Sequence, residues 1–338
     1  MLFTVLQEVF SMKILFIDTV HPILQKRLEE ERHDCVDGSH LSREDILKCI
    51  HDFEGIVIRS RIEADQKFID AAVKLKFIAR AGAGMESIDV NYAKTKGIIC
   101  LNSPEGSRDA VGEHAIGMLL ALLNKICKAD REVREGSWNR ERNRGTEIHG
   151  KTIGIMGYGN MGSAFAKKLS GFDCHVIGYD KYLKNFSNEF VKEVSMDEIF
   201  SRVDILSLHV PLNAETKFLV NDDFINRFKK NIYIINAARG KCLNTDDLVK
   251  NLKSGKVLGV CLDVNEYEES SFEKFTLHIS QPPSASLAES GFAIEEPWHY
   301  LTQSDKVVLS PHIAGWTSES NEKIAKVLFE KIKKHFET

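Results

Sequence analysis

The chain has 338 residues, 43% of them hydrophobic and 28% charged, with a formal net charge of −4. At about 150 residues per domain this length predicts two domains, and the composition excludes a disordered tail, a collagen-like repeat and a disulfide miniprotein. The mildly acidic balance lacks the basic footprint of a nucleic-acid binder, and the longest apolar run, Ala115–Leu123, falls far short of the roughly 20 residues a membrane span needs, so neither nucleic acid nor membrane is an expected partner.

Met1–Ser11 have no basic segment before their apolar residues and read as an N-terminal extension ahead of Met12. From there the apolar, β-rich runs Lys13–Asp18, Ile56–Ser60, Leu75–Arg80 and Ile98–Leu101 alternate with helical patterns that include Ser42–His51 and Asp65–Val73. Such alternation predicts βαβ units around a parallel sheet. Arg108–Gly136 reads as one long helix, apolar at first and then charged over Lys128–Glu135. A second series begins at Lys151, with strands predicted at Thr152–Met156, Cys174–Tyr179, Asp204–His209, Ile232–Asn236, Val257–Asp263 and Val307–Leu309. Six strands with intervening helices match a dinucleotide-binding sheet. An amphipathic helix over Glu319–Phe336 ends the chain and is expected to return to the first domain. The expected layout is a substrate-binding domain of residues 12–107 plus 313–338, with a cofactor domain of residues 108–312 inserted into it. The stretch 269–305 breaks the alternation and reads as a long functional or disordered excursion.

Cys35, Cys49, Cys100, Cys127, Cys174, Cys242 and Cys261 include no Cys-x-x-Cys pair. They read as reduced thiols of a cytoplasmic protein and signal no metal site.

Gly157-Tyr158-Gly159-Asn160-Met161-Gly162 is a G-x-G-x-x-G in the context that gives the motif meaning, after one strand and before a helical run. Gly157 permits the tight turn, Gly159 lets a pyrophosphate approach the backbone, and Gly162 lets helix and strand pack closely. The helix N-terminus offers N–H groups and partial positive charge to phosphates. Asp180 ends the next strand, 23 residues after Gly157. An acid there accepts hydrogen bonds from the adenosine ribose and repels a 2′-phosphate, which favours NAD over NADP; the following Lys181 works against that preference.

Three further groups follow strands of the second series: Asn236-Ala237-Ala238-Arg239-Gly240, Asp263-Val264-Asn265-Glu266-Tyr267-Glu268 and Ser310-Pro311-His312-Ile313-Ala314-Gly315. Ligands of open α/β sheets bind at the carboxyl ends of the strands, so an Arg, a Glu and a His delivered there can act on one small anion. With the Gly motif, and with His209-Val210-Pro211 and Thr216, these blocks resemble the D-isomer-specific 2-hydroxyacid dehydrogenases over about Lys13–Thr338. Within that family the phosphoglycerate dehydrogenases are the most similar group.

The resemblance implies a Rossmann-type doubly wound parallel sheet inserted into a flavodoxin-like α/β domain. It implies an NAD-dependent oxidoreductase moving a hydride between nicotinamide and C2 of a small D-2-hydroxy or 2-oxo acid. Arg239 would hold the substrate carboxylate and polarise the C2 oxygen, His312 would exchange the proton, and Glu268, rather than Glu266 or Glu269, would fix the His312 tautomer. Cofactor contacts would come from Val111, the Gly157–Gly162 loop, Asp180, His209, Pro211, Thr216, Ala237, Ala238, Arg239, Asp263, His312 and Gly315. Arg59, Ser60, Gly82, Ala83 and Gly84 would join Arg239 in cradling the substrate. Arg134, Arg140, Arg142 and Arg144 around Trp138 offer cationic groups for the phosphate of 3-phosphoglycerate, a substrate of serine biosynthesis. Glyoxylate, hydroxypyruvate, D-lactate and erythronate 4-phosphate are the alternatives, and an NAD(H)-sensing corepressor is the non-enzymatic one. The resemblance also implies a homodimer that buries part of Ala115–Arg134. Three departures stand out: Ser107 occupies a position where Asn is common, Glu268 and His312 are 44 residues apart, more than the resemblance implies, and Trp316 is bulky.

Overall fold

The computed structural model describes residues 11–268 and 296–336. Residues 1–10 of the expected extension and 269–295 of the expected excursion therefore lie outside the described residues. Ser11 donates to the Arg32 carbonyl, and the end of the excursion is a helix, Glu296–Gln303. The chain divides into two compact units, one formed by Met1–Ser107 with Trp316–Thr338 and the other by Arg108–Gly315.

The first unit contains a five-stranded parallel sheet: β1 (Lys13–Phe16), β2 (Asp34–Asp37), β3 (Gly55–Ile58), β4 (Phe77–Arg80) and β5 (Ile99–Asn102), in the order β2-β1-β3-β4-β5. This is the flavodoxin-like order. Successive side chains alternate between two cores: Leu15, Ile17 and Ile56 pack with Ile46 and Phe68 on one face, while Ile14, Phe16 and Val57 pack with Leu24 and Leu28 on the other. Coverage of both faces explains the continuous apolar run of β3, all four residues of which are buried. Ser42, Asp65 and Asp89 start the helices between strands by accepting the N–H of Asp45, Phe68 and Tyr92. The helix Ser318–Phe336 closes the second face with Ala325, Leu328, Phe329 and Ile332. It packs so closely that a Cβ on Gly106 would fall 2.5 Å from the Ile324 backbone nitrogen. β2 is absent from the sequence prediction because Asp34-Cys35-Val36-Asp37 is a half-exposed edge strand with no apolar alternation.

The second unit contains β6 (Thr152–Met156), β7 (His175–Tyr179), β8 (Lys192–Glu193), β9 (Ile205–Leu208), β10 (Ile232–Asn236), β11 (Val257–Leu262) and β12 (Val307–Leu309), all parallel. Their order is β12-β11-β10-β9-β6-β7-β8, the doubly wound arrangement whose direction reverses between β6 and β9. The sheet has seven strands rather than the six expected, because β8 is a two-residue polar edge strand without a hydrophobic signature.

The expected single helix is two. Pro104–Leu123 begins earlier than Arg108, and Ile126–Arg134 follows at 60° to it. Lys125 between them is left-handed, φ 54°, which no α-helix accommodates. Among the described residues no single helix is long and apolar enough to cross a membrane. The junction between units falls at 315/316 rather than 312/313, because Asp263 binds the N–H groups of Ile313 and Ala314 and ties them to the second unit.

Candidate active site

The carboxyl ends of β6 and β9 meet at the point where the sheet reverses. Gly157 follows β6 with φ 87°, and a Cβ there would lie 2.7 Å from the His209 carbonyl oxygen, so only glycine lets the two strand ends approach. A Cβ on Gly162 would fall 2.1 Å from the Gly157 carbonyl oxygen, which locks the helix Asn160–Lys168 against the loop. A Cβ on Gly159 would meet nothing within 4 Å, and no side chain caps the helix that begins there. A loop closed on its inner side and open on its outer one, at an uncapped helix N-terminus, fits a dinucleotide pyrophosphate. Asn160 and Met161 are half-buried at that helix start. Tyr158 is placed otherwise: its ring is buried and stacked on Phe186, and its N–H is given to Asp180.

Asp180 follows β7. One carboxylate oxygen accepts the Tyr158 N–H at 2.8 Å, and the other accepts those of Tyr182 and Leu183 at 2.9 Å. Burial pushes this carboxyl up, but the three backbone donors, with Lys184, outweigh it and hold it below the usual range. His209 follows β9. Its Nε2 shares a hydrogen bond with Ser207 Oγ at 2.8 Å, while Nδ1 is shut from solvent and finds no hydrogen-bond partner among the described residues. Burial drops its pKa to about 4, so the ring is neutral at pH 7. The Thr216 hydroxyl donates to the Pro211 carbonyl at 2.6 Å and knits that loop together. Val111 is buried on the helix Pro104–Leu123.

Arg239 follows β10, half-buried, and its Nη1 donates to the Ala238 carbonyl at 2.7 Å. Asn236 organises this Ala237–Arg239 turn, accepting the Ala238 N–H and donating to the Arg239 carbonyl. Past β11, Glu268 Oε1 accepts the Asn265 N–H at 2.6 Å, and Oε2 lies 2.8 Å from His312 Nδ1. Glu266 turns elsewhere, to the Thr245 N–H that opens another helix, so Glu268 alone of these two acids reaches the imidazole. The 44-residue separation along the chain does not prevent the pairing.

His312 has φ 55° and donates its N–H to the Asp263 carbonyl at 2.7 Å. The Asp263 side chain, 1% exposed, accepts from Ser310 Oγ, from the Ile313 and Ala314 N–H groups and from His114. Burial pushes the Asp263 carboxyl up, yet these donors bring it below the usual range. Asp263, one of the cofactor contacts that the resemblance implies, anchors the His312–Gly315 turn through these contacts.

In the first unit, buried Asp18 accepts the Arg59 N–H at 2.5 Å and the Arg61 Nε–H at 3.2 Å, fixing the loop that carries Arg59 and Ser60 past β3. The Arg59 guanidinium lies 4.2 Å from the Trp316 ring centre, a cation–π contact that gives this departure a partner. Of the expected amide donors, Gly82 is turned inward, bonding the Ser103 hydroxyl and the Arg80 carbonyl, and so offers its N–H to no substrate. Ala83 and Gly84 follow it on the same loop. Of the four arginines around exposed Trp138, Arg134 pairs with Asp130 and Arg144 with Glu141.

Asp18, Arg61 and His114 carry no sequence signal, and Ser310 none beyond its place in the Ser310–Gly315 block, since each acts through contacts with residues distant in the chain. Among the described residues no three His, Cys, Asp or Glu side chains are placed to hold a metal.

The sequence signature of the D-isomer specific 2-hydroxyacid dehydrogenase NAD binding domain matches residues 116–314. The chain is 33% identical over 95% of its length to a D-3-phosphoglycerate dehydrogenase of Archaeoglobus fulgidus, covering 56% of that protein. It is 35% identical over 88% of its length to a hydroxypyruvate reductase of Thermotoga maritima, covering 89% of it. A D-lactate dehydrogenase of Aquifex aeolicus, solved with NAD and lactic acid, superposes with a TM-score of 0.76 at 26% identity over 96% of this chain and 95% of that one. The chain therefore belongs to the D-isomer specific 2-hydroxyacid dehydrogenases, and its second unit contains their NAD-binding domain. It spans about half the length of the phosphoglycerate dehydrogenases it matches.

Proposed function

We propose that the chain catalyses NAD-dependent interconversion of a small D-2-hydroxy acid and its 2-oxo acid. The observation that carries this reading is the 2.8 Å contact between Glu268 Oε2 and His312 Nδ1, in the same unit as the glycine loop and Arg239. Bound NAD supplies or removes the hydride. A carboxylate at Nδ1 keeps the proton there, so His312 takes up or releases the substrate proton at Nε2. Arg239 presents its guanidinium to the substrate carboxylate and C2 oxygen. Gly157, Gly159 and Gly162 with Asn160 and Met161 hold the pyrophosphate, and Asp180 the ribose. We assign Val111, His209, Pro211, Thr216, Ala237, Ala238, Asp263 and Gly315 to shaping the rest of the cofactor site, and Arg59, Ser60, Ala83 and Gly84 to substrate.

We take 3-phosphoglycerate as substrate from the name of the Archaeoglobus relative, with serine biosynthesis the setting that the sequence resemblance implies. The Thermotoga relative, matched over 89% of its length, favours hydroxypyruvate as the second reading, and a glyoxylate reductase of Thermofilum pendens, 35% identical, favours glyoxylate beside it. A panel of 2-oxo acids with and without phosphate, assayed by NADH oxidation, decides between them. Rapid turnover of 3-phosphohydroxypyruvate is expected; tight NADH binding without turnover of any acid would point to a corepressor-like sensor. The exposed Ile126, Val133 and Trp138 support a homodimer built on this arm. Light scattering at micromolar concentration tests it, and a monomer mass counts against it. The scattered cysteines, none of them in a disulfide among the described residues, suit a reducing compartment, the cytoplasm.

A further inference from the structure

We propose that Glu215 sets the preference for NAD over NADP by engaging the Lys181 ammonium that would otherwise meet a 2′-phosphate; this rests on the cofactor site read above. The residues after β7 carry opposing signals. Asp180 repels a 2′-phosphate, but Lys181 and Lys184 follow at once, and ammonium groups beside the ribose would attract it.

Both lysines are occupied. Lys184 Nζ donates to the Asp180 carbonyl at 2.8 Å. Lys181 Nζ lies 2.7 Å from Glu215 Oε1, and the Tyr182 hydroxyl donates to Glu215 Oε2 at 2.5 Å. One carboxylate thus gathers two consecutive side chains of the β7 loop. Glu215 belongs to the loop after β9, across the point where the sheet reverses. Asn213 Oδ1 accepts the N–H groups of Glu215 and Thr216, and the Thr216 hydroxyl closes onto Pro211, so Glu215 is carried on a fixed turn. The pairing with Lys181, followed by Tyr182, holds the Glu215 carboxyl below its usual range, and Glu215 in turn raises the Lys181 ammonium. Asp180, Lys181, Lys184 and Glu215 together sum to zero formal charge. Without Glu215 the sum is positive and Lys181 is released.

The test is equilibrium titration of NADH and NADPH, by fluorescence, into the full chain and into Glu215→Gln, Lys181→Met and the double variant. Exposed ion pairs are weak, so Glu215→Gln should shift the ratio of NADPH to NADH dissociation constants about two- to fivefold toward NADPH. The double variant should lose that gain, because the released ammonium is gone. An unshifted ratio in Glu215→Gln, with NADH still bound, overturns the proposal alone, and so does a gain that survives Lys181→Met. A parent chain that binds neither dinucleotide overturns the cofactor reading itself, and the proposal with it.

Discussion

The Asp263 carboxylate accepts the Ala314 N–H at 2.9 Å, two residues beyond His312. With the Ile313 N–H and the Ser310 hydroxyl on the same side chain, the left-handed turn at His312 is held from both ends. Replacing Asp263 by Asn removes an acceptor and places an N–H₂ against backbone donors. An unmet buried group costs about 1–3 kcal/mol, and the urea midpoint should fall accordingly. Because the folded carboxyl titrates below its unfolded value, its contribution is full at neutral pH and is lost as pH falls through the folded pKa. Parent and variant should therefore converge in acid, which denaturation at several pH values would reveal.

His312→Asn keeps a polar side chain but removes the proton carrier. General acid–base catalysis contributes roughly 10²–10⁴-fold, so kcat should drop by about that factor. NADH affinity should change little, since the glycine loop and Asp180 are untouched. Near-parental turnover in this variant would make His312 structural and the mechanism wrong.

Asp180→Ser should weaken NADH and relax discrimination against NADPH together. Hydrogen bonds to a charged group contribute about 1.5–3 kcal/mol, so loss of the ribose acceptor should raise the NADH dissociation constant about tenfold or more. The same change leaves the N–H groups of Tyr158, Tyr182 and Leu183 with a poorer acceptor, and a modest loss of thermal stability should accompany it. An unchanged cofactor preference would remove Asp180 from the ribose site.

His209 makes the folded chain sensitive to mild acid. Its folded pKa of about 4 lies below the ordinary 6.5, so the unfolded chain binds the extra proton between those values. Stability from this group is full above the unfolded pKa and declines as pH falls through that window, by up to about 2 kcal/mol between pH 7 and pH 5. In His209→Gln this part of the decline should vanish. Parallel urea curves for parent and variant at pH 7 and pH 5 measure the difference directly.

What the sequence reveals of this molecule follows from how each feature is encoded. Buried parallel strands such as Ile232–Asn236 are long apolar runs, and Gly157, Gly159 and Gly162 have a spacing fixed by the turn they make. β2 and β8 have neither, because edge strands bury little. The helix break at Lys125 carries no proline or glycine, so nothing local announces it. Glu268 is distinguishable from Glu266 only when each has a partner, His312 for one and the Thr245 N–H for the other. The inward turn of Gly82 and the anchoring by Asp18 and Ser310 depend on residues brought together from distant parts of the chain.

The division at residues 107/108 and 315/316 imposes an order on biosynthesis. The second unit is one uninterrupted stretch and has all its core residues once that stretch is made. The first is assembled from both ends: Phe77, Ala79 and Leu101 wait for Leu328, Phe329 and Ile332. Domains usually fold as units during synthesis, N-terminal ones first. Here the earliest strands leave the ribosome with one apolar face covered only in part, by Leu24 and Leu28, and the rest of it waits until Ser318–Phe336 emerge. Truncation within Ser318–Phe336 would therefore spare the nucleotide-binding half and leave the N-terminal sheet exposed to chaperones, proteases and aggregation.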